Sequence, residues 1–388
     1  MCDVNDQISF LESNVQYLFD KYVPHIKKEL NNNKNPWFNN KIERMIVDRN
    51  KAYNRWKTFK TQDLHSIFRE HRLKVNKEIK LAKTKFFKDK FNGAIGSKKT
   101  WKAIKDTGLG RKNNNNQNIA INLDELNKQF VNIPVIPSSD SHNFTLGLDN
   151  TSLNDNDFCD NNFSFCCISQ LDVLECFHKI RSNAIGLDNL HPVFVKSLLP
   201  FLLPYITYIF NNILTKSVYP ESWKIAKIIP IRKSNNDFRP IAILSYLSKV
   251  FEIVMYRQIN EFFIRSKFFT DKQSGYRSKR NCTTALIDVV EDIREKVDNS
   301  EIAFLLLLDH SKAFDTIDHK TLCHKLINLY NIGPSAVKLI FSYLNGRSQS
   351  IFLDGMSSSV LPIRSGVPQG SVMGPFLFSV YVNDLPKA

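Results

Sequence analysis

Between residues 41 and 92 the chain holds neither Pro nor Gly. Apolar residues recur there at Leu64, Phe68, Val75, Ile79, Ala82 and Phe86, and spacings of three, four and seven gather them on one side of a helix. The pattern predicts one or two long helices with a polar outer face. Residues 113–162 lose this rhythm to Asn, Asp and Ser, with an Asn run at 113–116, and read as a linker holding at most a short helix and strand at 126–133. Helical spacing returns at Leu171, Leu174, Phe177 and Ile180, breaks at Gly186, and resumes as far as Lys216. From Ile225 the pattern predicts a β-hairpin, residues 225–232 and 238–243 around a polar turn, with Pro230 restricting the first strand to an edge. Two further helices follow at 247–263 and 283–297, the second marked by Leu286, Val289, Val290, Ile293 and Val297. The uninterrupted apolar run 303–308, ended by Asp309, predicts a buried strand. No internal repeat is visible.

Composition adds that the chain folds. Its 388 residues are 43% apolar with 29 Phe, enough for two or three domains and too apolar for disorder. The net charge of +15 is confined to one place, since residues 41–112 hold 22 Lys and Arg against 7 Asp and Glu. Such a segment lowers its free energy against a polyanion by releasing condensed counterions, or it is a solvated helix face. Trp37, Tyr53, Trp56 and Trp101 lie among these charges and either stack on bases or form the seam of the helices. Seven Cys without a CxxC pair support neither a disulfide framework nor a zinc site, which points to a reducing compartment. Residues 197–214 are apolar but interrupted by Pro200, Pro204, Asn211 and Asn212, which suits a buried helix better than a span. With no leader pattern, the expectation is a soluble intracellular protein without a membrane, in cytoplasm or nucleus.

Two short stretches carry candidate chemistry. Asp309 closes an apolar run, where a carboxylate on a rigid element suits a hard cation such as Mg²⁺ and where Asp also serves as a helix N-cap. Gly366-Val367-Pro368-Gln369-Gly370-Ser371 precedes Gly374-Pro375 and a helical run, and glycines here let backbone approach a ligand closely.

Five blocks in order, Trp223-Lys224 through Lys233, Phe238-Arg239-Pro240-Ile241, Gln273-Ser274-Gly275-Tyr276-Arg277, Leu308 through Asp315 and Gly366 through Pro375, resemble the reverse transcriptase of non-LTR (LINE-type) retrotransposons, most like the jockey-like group. The resemblance covers roughly residues 171–385. It implies an α+β fold, a right-hand polymerase with fingers and a partial palm at 169–388, preceded by a basic helical region at 1–112 and the linker 113–168. It also implies an RNA template, a DNA primer, deoxynucleoside triphosphates and two Mg²⁺ ions. By resemblance Asp309 is the catalytic and metal-binding carboxylate and the His310 carbonyl adds a ligand. Lys233 and Arg239 grip the triphosphate, Phe314 is the sugar gate, Gln369 and Gly370 border the nucleotide, and Gln273 and Arg277 face the template.

One departure stands out: the paired-carboxylate box, Tyr or Phe, any residue, Asp, Asp, does not occur between Gly370 and Ala388. The sequence reading therefore expects a chain that stops before that box and is inactive alone. The alternative is a nucleic-acid-binding protein derived from such an element without catalysis.

Overall fold

Asp3 accepts the Val4 N–H and so starts the first helix, α1 (Val4–Tyr22). The structure, a computed structural model, describes residues 3–23, 37–92, 100–101, 104, 122–133, 162–234 and 237–387. These form two compact units, His25–Ala120 and the combination of Met1–Pro24 with Ile121–Ala388. That division differs from boundaries at 112 and 168. Helix α1 joins the larger unit because Val4, Ile8, Leu11 and Val15 are buried in its core. Residues 122–133 join it too, since α4 (Leu123–Val131) buries Leu123 and Leu126 with Ala226, Ile228 and Ile351. The remainder of the expected linker, 113–121 and 134–161, lies outside the described residues.

The smaller unit is a helical hairpin, α2 (Asn40–Phe59) and α3 (Gln62–Asn92), turned at Lys60 with φ 49°. All six stripe residues read from the sequence are buried or half-buried, with Val75, and Ile42 of α2, fully inside. Aromatic rings fill the seam. Trp56 stacks on Phe68 at 5.9 Å and 2°, Tyr53 packs on Phe68 at 5.2 Å, and Trp37 meets Phe86 and Phe87. Three of the four aromatics among the charges are thus spent within the hairpin, and Trp101 stays 64% exposed.

In the larger unit, after α4, come α5 (Gln170–Lys179), α6 (Pro192–Lys216), β1 (Ile225–Ser234), β2 (Asp237–Ile243), α7 (Tyr246–Arg265) and α8 (Cys282–Asp298). Next are α9 (His319–Asn328), α10 (Pro334–Leu344), β3 (Ser348–Leu353), β4 (Met356–Ser357), β5 (Leu361–Pro362) and α11 (Met373–Tyr381). The mixed sheet runs β2-β1-β3-β4, with β5 on β3. Strands β1 and β2 form the antiparallel hairpin read from the sequence, and Ile225 to Ile228 of β1 pair in parallel with Ser348 to Ile351. Pro230 lies past that parallel stretch, where β2 is the remaining neighbour, so β1 is central at one end and an edge at the other.

Helix α6 is the one described helix long and apolar enough to cross a bilayer. It buries Val195, Leu199, Ile206, Ile209, Phe210 and Ile213 on one face and leaves Phe201, Tyr205 and Tyr208 exposed on another. The aromatic centre of the core joins Phe210, Tyr219, Trp223 and Phe251, and a second cluster surrounds Phe263 with Phe268, Tyr330 and Phe376.

One expectation fails. Residues 303–308 form no strand and pair with nothing described, and Phe304, Leu306, Leu307 and Leu308 are each at least 79% exposed. A strand needs a neighbour to satisfy its backbone, and the sheet does not extend to this run. The preceding α8 forms as expected yet buries no residue, leaving Leu286, Val290 and Val297 exposed.

Helix α1 is docked by a half-buried carboxyl. Trp223 Nε1 donates to Glu12 Oε1 at 2.9 Å, and burial pushes the Glu12 carboxyl from 4.5 up to about 7, against the tryptophan bond and helped by Asp188. A folded pKa raised above the unfolded value gives stability that is full below pH 4.5 and is lost as pH rises through 7. Denaturant unfolding between pH 4.5 and 8 should therefore show the wild type losing about 3 kcal/mol more than Glu12→Gln, which keeps an acceptor for Trp223. Parallel pH profiles for the two proteins would contradict this.

Candidate functional site

Blocks about 50 or more residues apart in the chain meet at the loop 365–371. On one side lies the turn after Asp309, where Val367 N–H donates to Phe314 O and Gly366 N–H to Ile317 O, each at 2.8 Å. Ser365 Oγ donates to Asp315 O, and His319 Nε2 to Gly366 O at 2.7 Å, its imidazole held below its usual range by burial and so neutral. On the other side lies β2, whose Ala242 N–H donates to Gln369 O at 2.7 Å. The loop ties the strand carrying Arg239 to the turn carrying Phe314.

The glycines explain how it fits. Gly366 has φ +82° and a Cβ there would stand 2.6 Å from Asp315 Cα, while Gly370 has φ +124° and its Cβ would stand 2.6 Å from Ala242 O. The sequence reading had these glycines admit a ligand, but the space is taken by the protein's own backbone.

A buried acid sets where the loop ends. Glu252 of α7 is wholly buried and accepts N–H bonds from Val372 at 2.6 Å and Met373 at 3.2 Å. Val372 at the N-cap offers helix α11 no side-chain acceptor, so its N-terminus is served by Glu252 together with Ser371 Oγ, which accepts the Gly374 N–H at 2.9 Å. Burial pushes this carboxyl up, opposed by Arg347 and the two N–H groups. The sequence signal for Glu252 was a single acid in an apolar stretch, Val250-Phe251-Glu252-Ile253-Val254-Met255.

The residues expected from the sequence are partly assembled. Phe314 is half-buried, stacked on Phe378 at 4.9 Å and edge-on to Tyr276 at 5.8 Å. Gln369 donates from Nε2 to both oxygens of Asp315, at 2.9 and 3.0 Å. Burial raises the Asp315 carboxyl against Gln369 and Lys312, and the sequence reading gave this acid no role although it stands one residue past Phe314. Lys233 and Arg239 are exposed near the tip of the β1–β2 hairpin. Arg277 is turned inward, its Nη1 donating to Thr270 O at 2.6 Å and Gln273 O at 3.2 Å, with the guanidinium over Phe269. Gln273 donates to Gly275 O, so both template candidates brace their own loop.

Asp309 and His310 are exposed and follow the unpaired run 302–308, so Asp309 does not close a buried strand. Among the described residues no three His, Cys, Asp or Glu side chains gather to hold a metal. Asp315 faces Gln369, and Asp384 is paired with Lys325 at 2.7 Å. One exposed carboxylate does not fit the donor set of a two-ion site. A cavity of about 40 Å³ beside Asp315 and Gln369, roofed by Phe130 and Val131, has room for a few waters and not for a nucleotide.

Residues 231–388 match the family model for reverse transcriptase (RNA-dependent DNA polymerase). The RNA-directed DNA polymerase from mobile element jockey of Drosophila melanogaster is 33% identical over 190 residues, 47% of this chain and 20% of the relative. The probable RNA-directed DNA polymerase from transposon BS of the same organism is 31% identical over 229 residues, 56% and 25% of the two chains. That from transposon X-element is 31% identical over 213 residues, 53% and 23%. The chain thus spans a quarter or less of the length of these relatives. The matched region contains the loop 365–371, β2 and the turn at Phe314, and residues 231–388 are a reverse transcriptase domain, homologous to those of non-LTR retrotransposon RNA-directed DNA polymerases.

Proposed function

We propose that the chain works as part of an RNA-directed DNA polymerase, with RNA as template, DNA as primer and deoxynucleoside triphosphates as substrates. The observation that carries this is the loop 365–371, which fixes Gln369 between β2 and the turn of Phe314 through the protein's own hydrogen bonds. In this reading β1 and β2 are the fingers. Their exposed Lys233 and Arg239 meet the triphosphate as point charge and bidentate fork. The rigid ring of Phe314, backed by Phe378, excludes a ribose 2′ hydroxyl by contact. Arg277 holds the loop 270–277 in shape toward the template.

The resemblance implies two Mg²⁺ ions, and the described donors alone do not make that site. The palm in this reading needs a partner for the uncovered run 302–308, and the paired-carboxylate hairpin is the element that would pair with it and stand beside Asp309. The test is primer extension on an RNA template by a longer chain that carries the hairpin. Asp309→Asn should lower the rate at least about 10³-fold while remaining folded. Phe314→Val should raise the ribonucleotide to deoxynucleotide ratio of kcat/KM roughly 10-fold or more. Equal extension by the Asp309 variant, or an unmoved ratio in an active Phe314 variant, would contradict these roles.

The hairpin α2–α3 favours a second, compatible reading as a nucleic-acid-binding element, since its helices carry 15 Lys and Arg against 6 Asp and Glu. Ion pairs within it include Lys41 with Glu78 and Lys74 with Glu70. The compact unit, residues 25–120, should bind single-stranded RNA or DNA with little sequence preference. Its affinity should fall with salt at a log-log slope of about 0.7 per phosphate neutralised. A flat salt dependence in a filter-binding titration would show the charges to be merely solvated.

A further inference from the structure

Gln369 has one rotatable question left to it. Its backbone is pinned, because its carbonyl accepts the Ala242 N–H at 2.7 Å and the next residue, Gly370, is pressed against Ala242. What remains is which end of the side-chain amide points where. An amide can flip, since its oxygen and nitrogen have the same shape, and the choice is made by what it faces. Here it faces Asp315, whose two oxygens both lie within 3.0 Å of Nε2. An ionised carboxylate only accepts, so it rejects the flipped amide, which would set oxygen against oxygen. Asp315 is itself held in place by its own chain, with Ser365 Oγ on its carbonyl and its N–H on Lys312 O at 2.8 Å.

We infer that Asp315 is a positioning residue that locks the Gln369 amide with its NH₂ inward, so that the site offers a ligand the Oε1 acceptor and selects for ligands presenting a hydroxyl or amino donor there. This rests on the reading that Gln369 borders a nucleotide, and it adds the polarity of that contact. The side chain of Gln369 is half-exposed, and among the described residues Oε1 receives no hydrogen bond, so the acceptor is open to a ligand. A carboxylate this close to the core is desolvated, and the two donations from Gln369 together with the nearby Lys312 offset part of that cost. A purely structural tie would be served equally well by any pair of matched hydrogen-bonding groups. Asp with Gln differs in fixing a direction.

The variants separate direction from attachment. Asp315→Asn has the same shape and still bonds Gln369, but its own amide allows both orientations. Gln369→Glu alone sets two carboxylates against each other, whereas the pair Asp315→Asn with Gln369→Glu restores a donor facing an acceptor. The experiment uses the full chain with ¹⁵N in glutamine side chains, read by NMR, and deoxythymidine triphosphate as the added probe. The Gln369 NH₂ signal should move in Asp315→Asn while the thermal midpoint stays near wild type. Affinity for the triphosphate should fall about 10-fold, and the midpoint lost in Gln369→Glu should return in the double variant. A Gln369 signal indifferent to Asp315→Asn, equal triphosphate affinity in the two proteins, or no recovery in the double variant would each overturn the inference. If the wild type binds no triphosphate while its Gln369 signal still depends on Asp315, the lock stands and the nucleotide reading of the site falls.

Discussion

A side chain at position 366 or 370 has nowhere to go. Each Cβ would enter backbone at 2.6 Å, on the turn in one case and on β2 in the other, and both positions have φ values that side chains resist. Everything assembled at the site depends on that close approach. With both glycines bare, one seven-residue loop reaches the turn and the strand together, and its hydrogen bonds set Phe314, Asp315, Gln369 and Ala242 as one unit. Glu252 then fixes the far end of the loop by capping α11 from inside the core. Its charge is costly there, and the two N–H groups and the nearby Arg347 offset that cost.

What the sequence could show was local. The stripe from Leu64 to Phe86 is a property of one helix, and its six positions are among those turned inward in the hairpin. The β1–β2 pair was legible because polar residues between two apolar runs define both strands and the turn. Residues 303–308 were misread because being a strand is a property of the neighbour. Six apolar residues indicate what should be covered, and they do not supply the cover. The same limit applies to α8, whose helix is visible in its spacing while the burial of its stripe depends on residues elsewhere.

The site was legible as parts and hidden as a circuit. Phe314, Gln369 and Gly370 were picked out individually, yet nothing in a linear sequence shows that Gln369 donates to an acid 54 residues earlier. Asp315 was quoted within a block without a task, and Glu252 was passed over inside an apolar stretch that would have marked it as partnered. Arg277 was read for its charge, and the sequence could not show that its Nη1 also donates to the Thr270 and Gln273 carbonyls of its own loop.

The loop is held by the protein's own backbone bonds to the turn and to β2, and native-state hydrogen exchange tests it at three amides. Gly366 and Val367 N–H donate to the turn, and Ala242 N–H donates to the loop. If the loop is part of the cooperative core, all three should exchange with opening free energies close to that of the surrounding core helices. Fast exchange at all three, with α7 and α10 still protected, would mean that the loop closes only on a ligand and that the site is not preformed.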